Sequence, residues 1–219
     1  MILITSMGGC ASTSVIGWSS RRIKCNCPLN SEGLVKAGAG SNPRGLKHRS
    51  SPPNQSDEYL RKENSFNRDD INSGPISRAV FLYDNPHSMI LSLFRRSIAM
   101  GHAMAVTGKK PPHSNDLQTF LDVGEDTFGF MEQFNNWTNK NLSCGYPRLL
   151  VKFDSLWENL DYIFGYMGIP ASEVKFFLKR HSRVDRMLGL TDDQRNKLMR
   201  IYSDLNDAMN GLSGVELIK

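Results

Sequence analysis

The sequence predicts an α/β protein of three layers, in which a central parallel sheet lies between helices on both faces. Three short segments rich in apolar and β-branched residues support this prediction, namely 2–5 (ILIT), 79–85 (AVFLYDN) and 148–154 (RLLVKFD). Each segment precedes residues with helical periodicity, and strands that alternate with helices are typical of a parallel sheet covered on both faces. A length of 219 residues suits one domain spanning 1–219.

The first predicted strand runs into a turn of small residues. A glycine pair and a row of hydroxyl residues follow it, and 12–24 have the pattern of a helix with Ser12 or Thr13 as N-cap. Amide N–H groups at such a turn converge on one point, and the helix N-terminus adds partial positive charge. The turn is therefore a candidate phosphate or sulfate site. On spacing alone, a Gly/Ser-rich connection without a ligand explains it equally well.

Residues 28–75 are expected to be largely loop, because glycines and prolines interrupt them throughout. Within this region, 45–50 predicts a short strand and 57–63 a short helix. We interpret the region as a loop-rich insertion that contributes to substrate binding.

The second predicted strand leads directly into a helix that begins near Pro86, where proline is favourable because its missing N–H would have no partner in the first turn. Apolar residues then recur at helical spacing, at Ile90, Leu93, Phe94 and Ile98. A loop is expected at 108–112 (GKKPP), followed by one long helix over about 115–140.

Two capping-box patterns predict the remaining helices. The pattern at 155–158 predicts a helix that ends at Gly168, and the pattern at 191–194 predicts a final helix that runs through Met209. Arg148 begins the third strand and is expected at the surface.

Positive charge is concentrated at the N-terminal end of the chain. The protein has a formal net charge of +5, and residues 1–50 hold seven Lys or Arg against one acidic residue. Positive charge near the turn suits a polyanionic small molecule. No basic stripe with interleaved aromatic residues is present, so nucleic acid is not expected as a partner.

No segment has the about 20 consecutive apolar residues of a membrane span, and 1–7 lack the charged start of a signal peptide. We therefore expect a cytoplasmic protein without integral membrane association. Four cysteines are present, at Cys10, Cys25, Cys27 and Cys144. Without a second pair or a histidine cluster they do not predict a zinc site, and reduced thiols are expected.

Two segments are similar to known sequence motifs. GCASTS (9–14) is similar to P-K-S-G-T-T, and YDNPHSMILSLFRR (83–96) is similar to Y-R-D-P-R-D-x-x-x-S-L-F-R. Both motifs belong to the sulfotransferase family, which the chain resembles over most of its length, including 146–170 and the C-terminal helix. Members of this family have a P-loop NTPase-like fold and use 3′-phosphoadenosine 5′-phosphosulfate (PAPS) as sulfonate donor.

The resemblance implies that the turn holds the phosphosulfate group of PAPS. The residues implied are Gly8, Gly9, Cys10, Ala11, Ser12, Thr13 and Ser14. The family's lysine is absent from the turn, where a glycine stands in its place. Three basic residues further along the helix either compensate for it or lie on a solvated helix face; they are Arg21, Arg22 and Lys24.

A further stretch, LKHRSSPP (46–53), resembles the family motif K-T-H-x-P with a longer spacing to proline. The resemblance implies catalytic roles for Lys47 and His48, with His48 as the base that accepts the proton of the substrate hydroxyl. A histidine has a suitable pKa for that role. The alternative is that His48 is an exposed imidazole in a loop.

In the segment 83–96, the resemblance implies that Ser92 holds the 3′-phosphate of the cofactor. Asp84 and His87 stand where the family has arginines. Because an aspartate repels a phosphate, another arginine would have to turn inward, and the candidates are Arg78, Arg95 and Arg96. Alternatively, cofactor affinity is lost, and Ser92 is a small residue that packs the helix against the sheet.

The resemblance thus implies a PAPS-dependent sulfotransferase that acts on a hydroxyl of a small-molecule or carbohydrate acceptor and needs no metal. One alternative is a protein of the same fold that binds a ligand or partner without catalysis. Another is a P-loop nucleotide kinase, in which Asp154 would hold Mg²⁺. A kinase would also need a lysine in the phosphate turn, and that lysine is missing.

Overall fold

The computed structural model describes residues 1–10, 12–23, 25–26, 48–54, 75–177 and 186–219. The predicted helix at 57–63 and most of the predicted loop region lie outside these residues. Four individually predicted residues also lie outside them, namely Ala11, Lys24, Cys27 and Lys47.

Four strands form one sheet in the order β1-β2-β3-β4. Their bounds are Ile2–Ser6 (β1), Arg78–Tyr83 (β2), Arg148–Lys152 (β3) and Val215–Ile218 (β4). The first three strands are parallel, as predicted, and β4 is antiparallel to β3. The sequence did not predict β4, because its four residues are too few to show an alternating pattern.

Nine α-helices accompany the sheet in the part of the chain that the structure describes. They are Ser12–Ser19 (α1), Pro86–Arg95 (α2), Ala99–Thr107 (α3), Leu117–Val123 (α4), Phe130–Thr138 (α5), Leu160–Met167 (α6), Ala171–Val174 (α7), Asp192–Ile201 (α8) and Ser203–Asn210 (α9). Short 3₁₀ helices span Phe153–Ser155, Trp157–Asn159 and Arg186–Gly189.

Helices flank the sheet because both of its faces are apolar. Side chains alternate along a strand, so Ile4 and Leu3 point to opposite faces. Leu3 belongs to a core formed with α2, α3, α4, α5, α8 and α9. Ile4 belongs to a second core formed with α1, α6 and α7.

The predicted single helix over 115–140 is wrong, because the structure has two helices there. Gly124 ends α4 in the left-handed conformation, with φ of +73°, and Gly129 precedes α5 with φ of +64°. Glycine adopts such angles without steric cost, so these two residues turn the chain between the helices.

The predicted helix start at Ser155 is also wrong. Two 3₁₀ turns occupy that segment, and α6 begins only at Leu160. The Ser155 side chain lies so close to Gly214, the residue before β4, that a Cβ at Gly214 would clash with it. Ser155 therefore contacts the chain next to the sheet instead of capping a helix. The predicted end at Gly168 is confirmed, with φ of +87° there.

The capping box formed by Thr191 and Gln194 is confirmed. However, the final helix is divided at Tyr202, whose φ and ψ of −118° and 18° are not helical. The Tyr202 side chain is buried, and its hydroxyl donates a hydrogen bond of 2.9 Å to the carboxylate of Asp126. This buried contact explains a break that apolar spacing alone does not reveal.

Arg148 lies in the interior, so the expected surface position is wrong. It is 1% exposed, and its guanidinium donates to main-chain carbonyls at and beyond the end of α5. The shortest of these bonds are 2.8 Å to Asn139 and 3.1 Å to Trp137. A cation at this end of a helix is favoured, because the unpaired carbonyls carry partial negative charge.

Candidate functional site

The turn between β1 and α1 lies at the carboxyl end of the parallel strands, where α/β sheets bind ligands. The Met7 N–H donates to the Leu82 carbonyl at 3.1 Å, and the Cys10 thiol donates to the same carbonyl at 3.3 Å. Gly8 and Gly9 have φ angles of +96° and +70°. The turn is thus fixed against the end of β2 in a backbone conformation that requires glycine.

Gly9 packs almost directly on the backbone of α2. A Cβ at Gly9 would lie 3.1 Å from the Cα of Met89 and 3.3 Å from the Cβ of Ser92. Ser92 is buried, so it packs the helix against the turn. This contact brings the 83–96 segment beside the turn, in agreement with the proximity that both interpretations of Ser92 require.

Arg96 follows α2 on the same side of the helix as Ser92. Its Nε donates a hydrogen bond of 3.1 Å to the Ser92 carbonyl. Arg96 is exposed, but desolvation of its guanidinium and the neighbouring Arg95 still lower its pKa, while the nearby Cys10 raises it. Three arginines were candidates for contacting the 3′-phosphate. Arg96 is the one of them that lies next to the turn between β1 and α1.

The positions of the other two candidate arginines favour them less. Arg78 begins β2, at the opposite end of the strand, and its guanidinium donates to the Tyr166 carbonyl. Arg95 and Arg96 are both exposed at the end of α2, and of the two it is Arg96 that donates to the Ser92 carbonyl. The prediction that Arg78 could face the phosphate is therefore wrong.

His87 and Asp84 replace the family's arginines but face other surroundings. His87 precedes Met89 by two residues, which places it on nearly the opposite side of α2. It is 8% exposed, its Nε2 has no hydrogen-bond partner in the described part of the chain, and burial lowers its pKa. Asp84 is fully buried, and its carboxylate accepts the Asn85 N–H at 2.8 Å.

His48 is hydrogen-bonded to the end of β1. Its Nδ1 lies 2.9 Å from the Ser6 carbonyl oxygen and 3.4 Å from the Ser6 hydroxyl. Because a carbonyl oxygen only accepts, Nδ1 carries a proton, and Nε2 is the basic atom of the neutral ring. The ring is half-buried, so the alternative of an exposed loop imidazole is wrong. Residues 48–50 are not a strand, and 45–47 lie outside the described chain.

A platform on α5 and Tyr146 holds the segment 48–54 in place. The side chains that donate to its main-chain carbonyls are Gln133, Asn136, Trp137 and Tyr146. Gln133 and Trp137 both donate to the Arg49 carbonyl, at 2.8 and 3.0 Å. The sequence analysis missed this platform, although the spacing of Gln133, Asn136 and Trp137 puts them on one face of a helix.

A second imidazole, from His102 of α3, lies beside the turn. A Cβ at Gly8 would lie 2.5 Å from the Cε1 of His102. The ring centroids of His102 and His48 are 4.5 Å apart, with an interplanar angle of 65°. Neither α3 nor His102 was predicted, because the contact with Gly8 spans 94 residues along the chain and has no local motif.

The hydroxyl residues of the turn differ in exposure. Ser12 is buried, whereas Thr13 and Ser14 are exposed at the start of α1. Of the basic residues further along the chain, Arg22 does not approach the turn. Arg22 lies beyond the far end of α1, where it pairs with Glu173 at 3.1 Å and lies over the Trp18 ring. The prediction that Arg22 compensates for the missing lysine is therefore wrong.

A cavity of about 480 Å³ lies next to the segment that carries His48. Its walls are the segments 106–112 and 125–132, together with Ser50. Five of its residues are ionisable, namely Lys109, Lys110, Glu125, Asp126 and Glu132, and the described structure records no ion pair for them. The cavity is thus polar and carries charges of both signs.

Within the described ranges, no cluster of three or more His, Cys, Asp or Glu residues has an arrangement that could hold a metal ion. The three cysteines in these ranges are Cys10, Cys25 and Cys144, and all three are buried. None of the helices there is both long enough and apolar enough to cross a membrane.

Comparisons with protein-family models, with curated proteins and with solved structures give no match to this chain. The candidate site is therefore defined by geometry alone, as the corner where the turn meets His48, His102 and the segment 92–96.

Proposed function

We propose that this protein is a sulfotransferase that moves a sulfonate group from PAPS to a hydroxyl of its acceptor. One observation carries the proposal. Residues far apart in the sequence meet at the turn, because Ser6 contacts His48 and Gly9 contacts Met89 and Ser92. The same three segments are those that resemble motifs of the sulfotransferase family.

The groups at this corner suit a donor with several negative charges. The turn offers amide N–H groups and the hydroxyls of residues 12–14 to the phosphosulfate. Ser92 and Arg96 offer a hydroxyl and a guanidinium to the 3′-phosphate on the other side of the turn. The amide groups and hydroxyls of the turn would also offset the negative charge that grows on the departing 5′-phosphate oxygen.

His48 is the proposed general base. As the acceptor oxygen attacks sulfur, its proton passes to Nε2 of His48, which is basic because Nδ1 is held by the Ser6 carbonyl. A bond from sulfur to the acceptor oxygen forms, and the bond from sulfur to the 5′-phosphate oxygen breaks. The bound donor supplies the sulfonate and leaves as 3′-phosphoadenosine 5′-phosphate (PAP). The other contribution of the protein is positioning.

The cavity beside Ser50 is the proposed acceptor site. Its lining residue Ser50 follows His48 by two positions, and α5 holds this segment in place. Hydroxyls and charged groups line it, including Thr107, Thr127 and Glu132. Such a lining suits a hydroxyl-rich molecule such as a carbohydrate, because each hydroxyl can both donate and accept.

Transfer of radiolabelled sulfate from PAPS to a panel of sugars and alcohols tests the proposal. We expect transfer by the unaltered protein, and a large loss in His48→Ala and Ser12→Ala. Ser172→Ala, in an exposed position on α7, serves as the matched serine control and should keep full activity. Absence of transfer to every acceptor, with PAPS intact, would contradict the enzyme assignment.

A second candidate function, ligand binding without catalysis, is favoured by Asp84. This buried carboxylate directly follows β2, where its negative charge would repel an anion bound next to α2. The turn also lacks a lysine. A protein of this kind would be stabilised by PAP, with a raised melting temperature, and would transfer no sulfate.

A further inference from the structure

The turn lacks a cationic side chain of its own, and the structure shows why none can stand at position 8. A Cβ there would lie 2.5 Å from Cε1, 3.0 Å from Nε2 and 3.2 Å from Nδ1 of His102. Gly8 also has a φ of +96°, which side chains rarely adopt. The imidazole of His102 thus fills the space in which a side chain of residue 8 would begin.

The position of this imidazole is fixed by its neighbours. His102 is 6% exposed on α3, with its ring centroid 5.6 Å from that of Phe130 and 6.3 Å from that of Phe128. On its other side, the ring meets that of His48 at 4.5 Å. A ring packed between aromatic neighbours keeps its orientation, so its nitrogen atoms stay beside the turn.

We propose that His102 is an anion-binding residue of the turn, which donates an N–H to a phosphate or sulfonate oxygen held there. The inference rests on the proposed function and extends it to a residue from another helix. An imidazole has at least one N–H in either protonation state, so it provides a donor where the turn has no lysine. The two histidines then have separate roles: His48 accepts the substrate proton, and His102 binds the donor's anion.

Calorimetric titration of PAP and of inorganic pyrophosphate tests this role. His102→Phe keeps a ring against Gly8 but removes both nitrogens, and His102→Gln keeps an N–H donor. We expect affinity to fall by about tenfold or more in His102→Phe, as for the loss of a hydrogen bond to a charged group, and by less in His102→Gln.

His113→Phe is the matched control. Like His102, His113 is buried and its ring packs on Phe128, but its Nε2 lies 2.7 Å from the Thr127 hydroxyl and it does not contact the turn. This variant should bind both anions as the unaltered protein does. Circular dichroism melting curves establish which variants are folded.

A measurement on the unaltered protein covers the case in which a variant does not fold. In nitrogen-15 NMR spectra, the imidazole resonances of His102 should shift as pyrophosphate is added, and those of His113 should not. Unshifted His102 resonances at saturation would overturn the inference.

The outcomes for the inference and for the proposed function can be told apart. If folded His102→Phe binds PAP as tightly as the unaltered protein, His102 only fills space and the sulfotransferase proposal is unaffected. If the unaltered protein binds pyrophosphate but not PAP, the sulfotransferase proposal is overturned, and the pyrophosphate titrations decide the role of His102. Binding of neither anion would overturn both.

Discussion

The Nδ1–H group of His48 donates a hydrogen bond of 2.9 Å to the carbonyl oxygen of Ser6, the last residue of β1. This bond separates two properties of the imidazole, its anchoring through Nδ1 and its basicity at Nε2. His48→Asn should keep a donor for the Ser6 carbonyl but has no base. We expect kcat for sulfate transfer to fall by about 10²- to 10⁴-fold in this variant, as for the loss of a general base, with little change in PAP affinity.

The comparison with His48→Ala makes this prediction specific. Both variants should lose kcat to a similar extent, while His48→Asn stays closer to the unaltered protein in melting temperature. Substantial turnover by His48→Asn would assign the base to another residue.

Gly9→Ala should destabilise the protein by about 1–3 kcal/mol, because it combines a disfavoured φ of +70° with a Cβ only 3.1 Å from the Cα of Met89. Gly101→Ala is the control. Gly101 lies within α3 with no atom within 4 Å of an added Cβ, so alanine there should be neutral or stabilise by up to about 1 kcal/mol. Urea unfolding measures both changes, and equal midpoints for the two variants would contradict the close contact.

Arg148→Met should cost about 3 kcal/mol or more in the free energy of unfolding. The substitution keeps a long apolar stem but leaves buried carbonyls without their donor, including those of Trp137 and Asn139. Arg200→Met, at an exposed position of α8, should change stability by no more than about 0.5 kcal/mol. A similarly small effect at Arg148 would show that water replaces the guanidinium at those carbonyls.

The ionisation of Asp126 should lower the free energy of unfolding as the pH rises above about 3.8, the usual pKa of an aspartate. Burial raises its pKa, against the hydrogen bonds that its carboxylate accepts from Met131 and Tyr202. The folded protein therefore binds this proton more tightly than the unfolded chain. The resulting stabilisation is complete below the unfolded pKa of about 3.8 and is lost as the pH rises through the raised, folded pKa.

Two variants measure this dependence by urea unfolding between about pH 4 and pH 7. Asp126→Asn should abolish the contribution, so its stability relative to the unaltered protein should improve with increasing pH. Tyr202→Phe removes a donor to the carboxylate and should steepen the loss. Parallel pH profiles for Asp126→Asn and the unaltered protein would contradict the assignment.

Local sequence patterns predicted the elements that frame the site. The three parallel strands were recognisable from short apolar runs, and α2 was recognisable from Pro86 and its apolar spacing. The likeness of 83–96 to a family motif also led to Ser92, which lies beside the turn. These features depend on neighbouring residues in the chain, so they can be seen without the fold.

What the sequence did not reveal depends on contacts between distant segments. His102 matters because it meets Gly8, and Arg148 is buried because carbonyls beyond α5 accept its hydrogen bonds. The division of the final helix at Tyr202 follows from the bond to Asp126. No window of a few residues contains both members of such pairs.

The platform that holds 48–54 has a consequence for protein engineering. In the described part of the chain, its hydrogen bonds to this segment reach main-chain carbonyls, those of Arg49, Ser50 and Pro53. Because every residue type offers the same carbonyl, libraries randomised at 49 and 50 should preserve the path of this loop and leave the histidine next to it in position. Acceptor preference could then be altered by directed evolution at these two positions without rebuilding the scaffold.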